Sequence, residues 1–168
     1  MDRTPRLIGL AGIASFMLAC AEPAAIQVIL VRHGEKATDP PNPRDPDLSA
    51  AGHARAQALA KVVAHADLAA IYATQFKRTQ ATVAPAAAAM KLAVTRVDAS
   101  DPGALARAIR SHSGKTVLVA AHSNTVPEII AALGGPSIPE IDEDDFDNLF
   151  VVTVRGAEAQ LVHLTYGP

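Results

Sequence analysis

Tryptophan is absent from this chain, cysteine occurs once, and aromatic side chains make up only 4% of the residues. Each shortage excludes something. With Cys20 alone there can be no internal disulfide, so the fold has to rest on its apolar core. So few aromatics supply neither a row of stacking platforms for bases nor an aromatic cleft for a sugar. A cationic excess is missing too: 15 Lys and Arg stand against 17 Asp and Glu, which argues against general binding to nucleic-acid phosphates. No spacing of His, Cys, Asp or Glu asks for zinc, and no metal or cofactor is expected. What the chain has instead is alanine, valine, leucine and isoleucine. Hydrophobic side chains reach 49% of 168 residues, enough for one domain packed at short range.

The N-terminus is set apart from that domain. Arg3 and Arg6 precede the apolar run "LIGLAGIASFMLACA", which is too short to cross a bilayer as a stable helix and reads as a secretory signal over residues 1–21, leaving 22–168 as the domain. Two endings fit. "ACA" at Ala19 to Ala21 has the small-x-small form of ordinary cleavage, whereas "MLAC" resembles the lipobox of bacterial lipoproteins, with Cys20 lipidated and the protein tethered to a membrane. Export to the periplasm or cell envelope is expected in either case. Without these residues the balance is 13 basic against 16 acidic side chains.

Along the domain, strand and helix signals alternate. "IQVILV" has the length and β-branched content of a buried, central strand. "DPPNPRDPD", with prolines at 40, 41, 43 and 46, forbids helix or ladder and marks a loop that rims whatever follows the strand. "LSAAGHARAQALAKVVAHA" is apolar at near-helical spacing with Ser49 placed as a cap. Then come the strand "LAAIYAT", the helix "QFKRTQATVAPAAAAM" bent or broken at Pro85, and the strand "KLAVTRV". The helix "DPGALARAIRSH", the strand "KTVLVAA" and the helix "TVPEIIAAL" closed by Gly134-Gly135 continue the alternation. After the acidic loop "EIDEDDFD", the strands "NLFVVTV" and "AQLVHLTY" form a terminal hairpin. This order predicts an α/β three-layer sandwich: a mainly parallel sheet, helices on both faces, and ligands beyond the carboxyl ends of the strands.

Chemistry-bearing residues collect at those ends. Arg32 and His33 follow the first strand, Thr74 to Arg78 the second, Asp98 the third, and His122 the fourth. A histidine can attack phosphorus with one ring nitrogen if a hydrogen bond fixes the other, and the phosphoryl oxygens are best neutralised by bidentate arginines. Gly34 would let the backbone approach a bound oxyanion. His53, His65, His112 and His163 fall on helices or the last strand, where surface or packing roles are expected. The acidic run Asp142 to Asp147 reads as a solvated loop rather than a cation site.

"VRHGEK", "LSAAGHARAQALA", "YATQFKRTQATVAP" and "VAAHSNTVPEIIAALGG" together resemble the histidine phosphatase superfamily in its phosphoglycerate mutase-like branch. The resemblance implies that His33 is the phosphorylated nucleophile, that Arg32 and Arg78 clamp phosphate, and that His122 holds the phosphoryl group. The acid-phosphatase branch places an aspartate directly after its second histidine; Ser123 stands there in this chain. The mutase-like branch draws its acid from the region after the third strand. That points to Asp98, with Glu35 the other carboxylate near the nucleophile. The expected activity is hydrolysis of a small phosphate ester. The alternatives are a phosphohistidine protein phosphatase and a noncatalytic phosphate-binding module.

The signal reading is tested by mass spectrometry of the protein recovered from cells. A lipid-modified N-terminus at Cys20 is the expected result; an unmodified chain beginning at Glu22 would rule the anchor out.

Overall fold

A computed structural model describes residues 24–168. The signal reading over 1–21 and the lipidation reading at Cys20 lie outside those residues. The described chain forms β1 (Ile26–Arg32), α1 (Ala50–Val62), β2 (Leu68–Thr74), α2 (Lys77–Met90), β3 (Val94–Val97), α3 (Pro102–Arg110), β4 (Thr116–Ala121), α4 (Thr125–Ala132), β5 (Asn148–Arg155) and β6 (Glu158–Thr165). The six strands make one sheet in the order β3-β2-β4-β1-β5-β6. β1, β2, β3 and β4 run parallel, and β5 and β6 return antiparallel as a hairpin. β1 is central, as its apolar run requires, because it is paired on both sides.

Alternate side chains of the central strands feed two cores. Val28 and Leu30 of β1 join Val117, Val119 and Ala121 of β4 under α3 and α4. On the opposite face Val31, Leu118 and Ala120 pack with Leu59 of α1, Val63 at its C-cap, and Val83 and Ala86 of α2. Each fully buried Val, Leu or Ile contributes about 1.5–3 kcal/mol relative to exposure, so the two cores dominate the folding energy. This is the three-layer α/β sandwich read from the alternation of signals.

Local signals behave as their chemistry dictates, with one exception. Ser49 caps α1 by accepting from the Gly52 amide at 3.1 Å. Asp101 caps α3 through the Ala104 amide at 2.7 Å, and Pro102 opens that helix. The hairpin turns through Gly156-Ala157, with Arg155 paired to Glu158 and Gly156 at φ 57°. Pro85, however, does not break α2, which continues to Met90. The proline forfeits one amide hydrogen bond, yet Val83, Ala86 and Ala87 on the same helix are buried, and that packing outweighs the loss.

Gly34 has a different reason from the one expected. A Cβ there would meet the Gly52 carbonyl oxygen at 2.9 Å, and a Cβ on Gly52 would run into the Glu35 backbone. The two glycines let the start of α1 lie directly against the chain leaving β1. The contact between protein backbones, not an approach to a bound anion, is what excludes a side chain. Gly52→Ala should therefore destabilise the protein by about 1–3 kcal/mol, despite alanine's better helix propensity. Gly103→Ala, whose Cβ would meet nothing closer than 3.4 Å, is the matched control. Equal melting temperatures for the two variants would contradict the close-approach account.

Candidate active site

The carboxyl ends of β1 to β4 open into a cleft of about 580 Å³. His33, Arg78, Asp98 and His122 all line it, on segments far apart in the chain. The His33 and His122 rings lie edge to face with centroids 5.3 Å apart. Phe76 packs against His122 with centroids 5.1 Å apart, giving that ring an apolar wall.

Hydrogen bonds assign the tautomer of each histidine. His33 Nδ1 is 2.8 Å from the Gly34 carbonyl oxygen, which can only accept, so Nδ1 carries the proton and Nε2 keeps its lone pair. His122 Nε2 is 2.8 Å from Thr74 Oγ1, and Thr74 Oγ1 is 2.9 Å from Thr79 Oγ1. Thr79 spends its own proton on the carbonyls of Phe76 and Thr74, at 2.8 and 3.1 Å. Thr74 therefore donates to Thr79 and accepts from His122 Nε2–H. That leaves His122 Nδ1 with a lone pair, 3.4 Å from Arg78 Nη2.

Both rings are neutral near pH 7. Burial pushes His33 down to about 3, helped by His122, Arg78 and Arg32, while the Gly34 carbonyl opposes the shift. Burial also lowers His122 to about 4, with Arg78, Arg32 and Lys36 acting in the same direction. Arg78 sits in the first turn of α2, mostly buried, its guanidinium 4.5 Å over the Phe76 ring. Among the described residues its buried Nε and Nη1 have no hydrogen-bond partner, although Asp45 of the proline-rich loop lies 3.8 Å from Nη1. A cation so placed, beside two neutral imidazoles, suits an anion that brings its own acceptors.

The other two sequence-predicted residues are placed differently. Arg32 is only 1% exposed and does not line the cleft. Its Nη1 donates to the Asp142 and Asp145 carbonyls at 2.5 and 2.9 Å, and Nη2 donates to the Glu143 carbonyl at 2.9 Å and to Glu143 Oε2 at 3.2 Å. The backbone of the acidic loop is thus wrapped around a buried guanidinium, which corrects the placement of Arg32 at the cleft, while the side chains of Asp142, Glu143, Asp144 and Asp147 are exposed as in a solvated loop. Glu35 is corrected as well. It forms a close ion pair with Arg55, Oε1 to Nη2 at 2.7 Å, and takes no part in the cleft. Arg55 Nη1 in turn donates to the Tyr166 carbonyl at 2.9 Å, so this pair ties the loop after β1 to the C-terminal segment.

Asp98 lines the cleft but is exposed, and it accepts from the Ser100 amide at 2.9 Å and Ser100 Oγ at 2.8 Å. Those bonds hold its carboxyl below the usual range. The carboxylate that sequence reasoning missed is Glu143. Its Oε1 accepts from Ser123 Oγ at 2.9 Å, and its Oε2 faces Lys36 Nζ at 3.3 Å as well as Arg32. The Ser123 hydrogen bond, then Arg32 and Lys36, hold it ionised below the usual range. Nothing in the local pattern of "EIDEDDFD" singles out its second glutamate. Among the described residues no group of three or more His, Cys, Asp or Glu could hold a metal ion.

The lowered histidines make stability acid-sensitive. The unfolded chain binds protons at these positions near pH 6.5 and the folded chain only near 3 to 4, so stability is full above pH 6.5 and falls as the pH drops below it. The loss between pH 7 and 4 should be on the order of a few kcal/mol. Urea melts of the native protein and of His33→Gln check this: the variant's stability should fall less steeply with acid, and parallel curves would contradict it.

Residues 28–100 match the family model described as histidine phosphatase superfamily (branch 1). No curated protein matches the sequence. The fold is similar to that of the protein histidine phosphatase SixA complexed with tungstate, with a TM-score of 0.67, 18% identity, and coverage of 83% of this chain and 96% of that one. Bacillus stearothermophilus YhfR gives 0.65 and 17% over 82% of this chain and 95% of its own. A mycobacterial glucosyl-3-phosphoglycerate phosphatase gives 0.62 and 13% over 82% and 97%. The family match reaches from β1 through Ser100, less than half of the chain, and beyond it the likeness is one of fold alone. Over residues 28–100 the chain is thus similar to the histidine phosphatase superfamily (branch 1), and its fold is similar to that of these three solved structures.

Proposed function

We propose that the protein is a phosphomonoesterase that works through a covalent phosphohistidine at His33. What supports this is one arrangement: a neutral His33 with Nε2 free, a second neutral imidazole beside it, and Arg78 with buried donors left unpartnered. The Nε2 lone pair attacks phosphorus and the ester oxygen leaves; water then releases phosphate and restores the imidazole. Arg78 donates to the phosphoryl oxygens, and His122 joins it once the incoming anion raises its proton affinity and Nδ1 takes up a proton. With Arg32 committed to the loop, the direct guanidinium contact falls to Arg78.

Between Arg78 and His122 the chain holds only the rest of α2, β3, α3 and β4, with no insertion to cover a second substrate, which favours hydrolysis over phosphoryl transfer. The substrate is a small phosphorylated molecule or group, met outside the cytoplasm if the signal reading holds, and nucleic acid is not the partner. A second reading, phosphohistidine carried on a protein, draws support from the two carboxylates of the cleft. Asp98 and Glu143 are both held below the usual range, so neither carries a proton at neutral pH for a poor leaving group. Phosphoimidazole needs little such help, and the similar SixA fold is that of a protein histidine phosphatase.

Hydrolysis of p-nitrophenyl phosphate tests the proposal. The native protein should turn it over and His33→Ala should not. Arg78→Lys should lose about two to three orders of magnitude in rate with little change in melting temperature, because one ammonium cannot replace a planar two-point clamp. Wild-type rates in His33→Ala would overturn the mechanism. Phosphate binding without turnover by the native protein would instead favour a noncatalytic anion-binding module.

A further inference from the structure

The position of Glu143 carries a step beyond this reading, on which it rests. We propose that Glu143 is the general base of the second half-reaction, taking a proton from the water that attacks the phosphohistidine at His33. Two carboxylates line the cleft among the described residues, and they differ in what holds them. Asp98 is exposed and bound by Ser100, two residues along its own loop. Glu143 is bridged between the two histidine-bearing segments. Ser123, which holds Oε1 at 2.9 Å, directly follows His122, and Arg32, which holds Oε2 at 3.2 Å, directly precedes His33. Phe146, three residues further along the loop, packs against the Arg32 guanidinium at 4.2 Å and faces the His33 ring with centroids 6.1 Å apart. The loop is therefore anchored beside the nucleophile at more than one point.

Other groups are poorly placed for this work. His122 Nδ1 faces Arg78, and Glu35 is paired with Arg55 outside the cleft. Glu143 is ionised at neutral pH, the state a base needs, and its side chain is open to water. In the step itself the water oxygen bonds to phosphorus while the phosphorus–Nε2 bond breaks. Its electron pair returns to Nε2, one water proton passes to the Glu143 carboxylate, and inorganic phosphate leaves. His33 is again a neutral imidazole with its proton on Nδ1, still held by the Gly34 carbonyl.

Pre-steady-state release of p-nitrophenolate separates this from the proposed function, because that leaving group departs unprotonated and only phosphoenzyme breakdown needs the base. Glu143→Gln should give a burst of one equivalent per site followed by a steady state about 100-fold slower than the native protein, with acid-labile phosphohistidine accumulating. A steady state at or above the native rate, with tighter inhibition by inorganic phosphate, would show that Glu143 only fills the anion site, and would overturn the proposal. Loss of the burst in a variant that still melts cooperatively would overturn it as well, assigning Glu143 to binding. Should Glu143→Gln fail to fold, Ser123→Ala serves. It removes the bond that orients the carboxylate, and breakdown should slow while the burst persists; an unchanged breakdown rate would count against the base. If the native protein forms no phosphohistidine at all, the proposed function fails first.

Discussion

A guanidinium that is almost wholly out of water must find its hydrogen bonds in the protein, and Arg32 finds them in the loop between α4 and β5. Burial lowers its pKa, and Glu143, Asp145, Asp144 and Glu140 oppose that shift, so the acidic composition of the loop compensates a buried cation. Three backbone carbonyls and one carboxylate accept from it. Carbonyls at three nearly consecutive residues can face one point only if the loop curls around it. Arg32 thereby fixes the path of a segment more than a hundred residues away in the chain, and with it the places of Glu143 and Phe146 beside the cleft.

The cleft depends on that arrangement for its charge. Two imidazoles are kept neutral by burial and by neighbouring cations, which preserves a lone pair on His33 at neutral pH. The threonine pair behind His122 orients one ring, and the Gly34 carbonyl orients the other. Positive charge with donors to spare is concentrated in Arg78, also lowered by burial and held between Phe76 and the proline-rich loop. An anion entering the cleft would raise the proton affinity of both rings.

Backbone packing supports the same end of β1 from the other side. Gly34 and Gly52 touch, the Gly34 amide donates to Thr82 Oγ1 at 2.9 Å, and Ser49 donates its amide to the Glu35 carbonyl at 2.8 Å. Glu35, bound to Arg55 and through it to the Tyr166 carbonyl, belongs to this framework. The residues after His33 act as a brace for the backbone that carries its ring, and the proline-rich loop between them and α1 is closed by the bridge from Lys36 to Leu48.

Much of this was legible in the sequence because it follows from short-range rules. The alternation of apolar runs and capped helices determined the layered α/β fold, and the parallel sheet it implies brings the residues after β1, β2, β3 and β4 to one edge. His33, Arg78 and His122 could be read as a set for that reason, and Asp98 could be placed at the rim. Three matters were decided only by tertiary structure. Arg32 spends its donors on carbonyls, and backbone carbonyls are the same whatever the sequence, so no motif announces them. Glu35 turns to Arg55 because α1 happens to present that arginine across the Gly34–Gly52 contact. Glu143 reaches the cleft because its loop is drawn onto Arg32, and a hydrogen bond between residues 111 positions apart has no local signature in either segment.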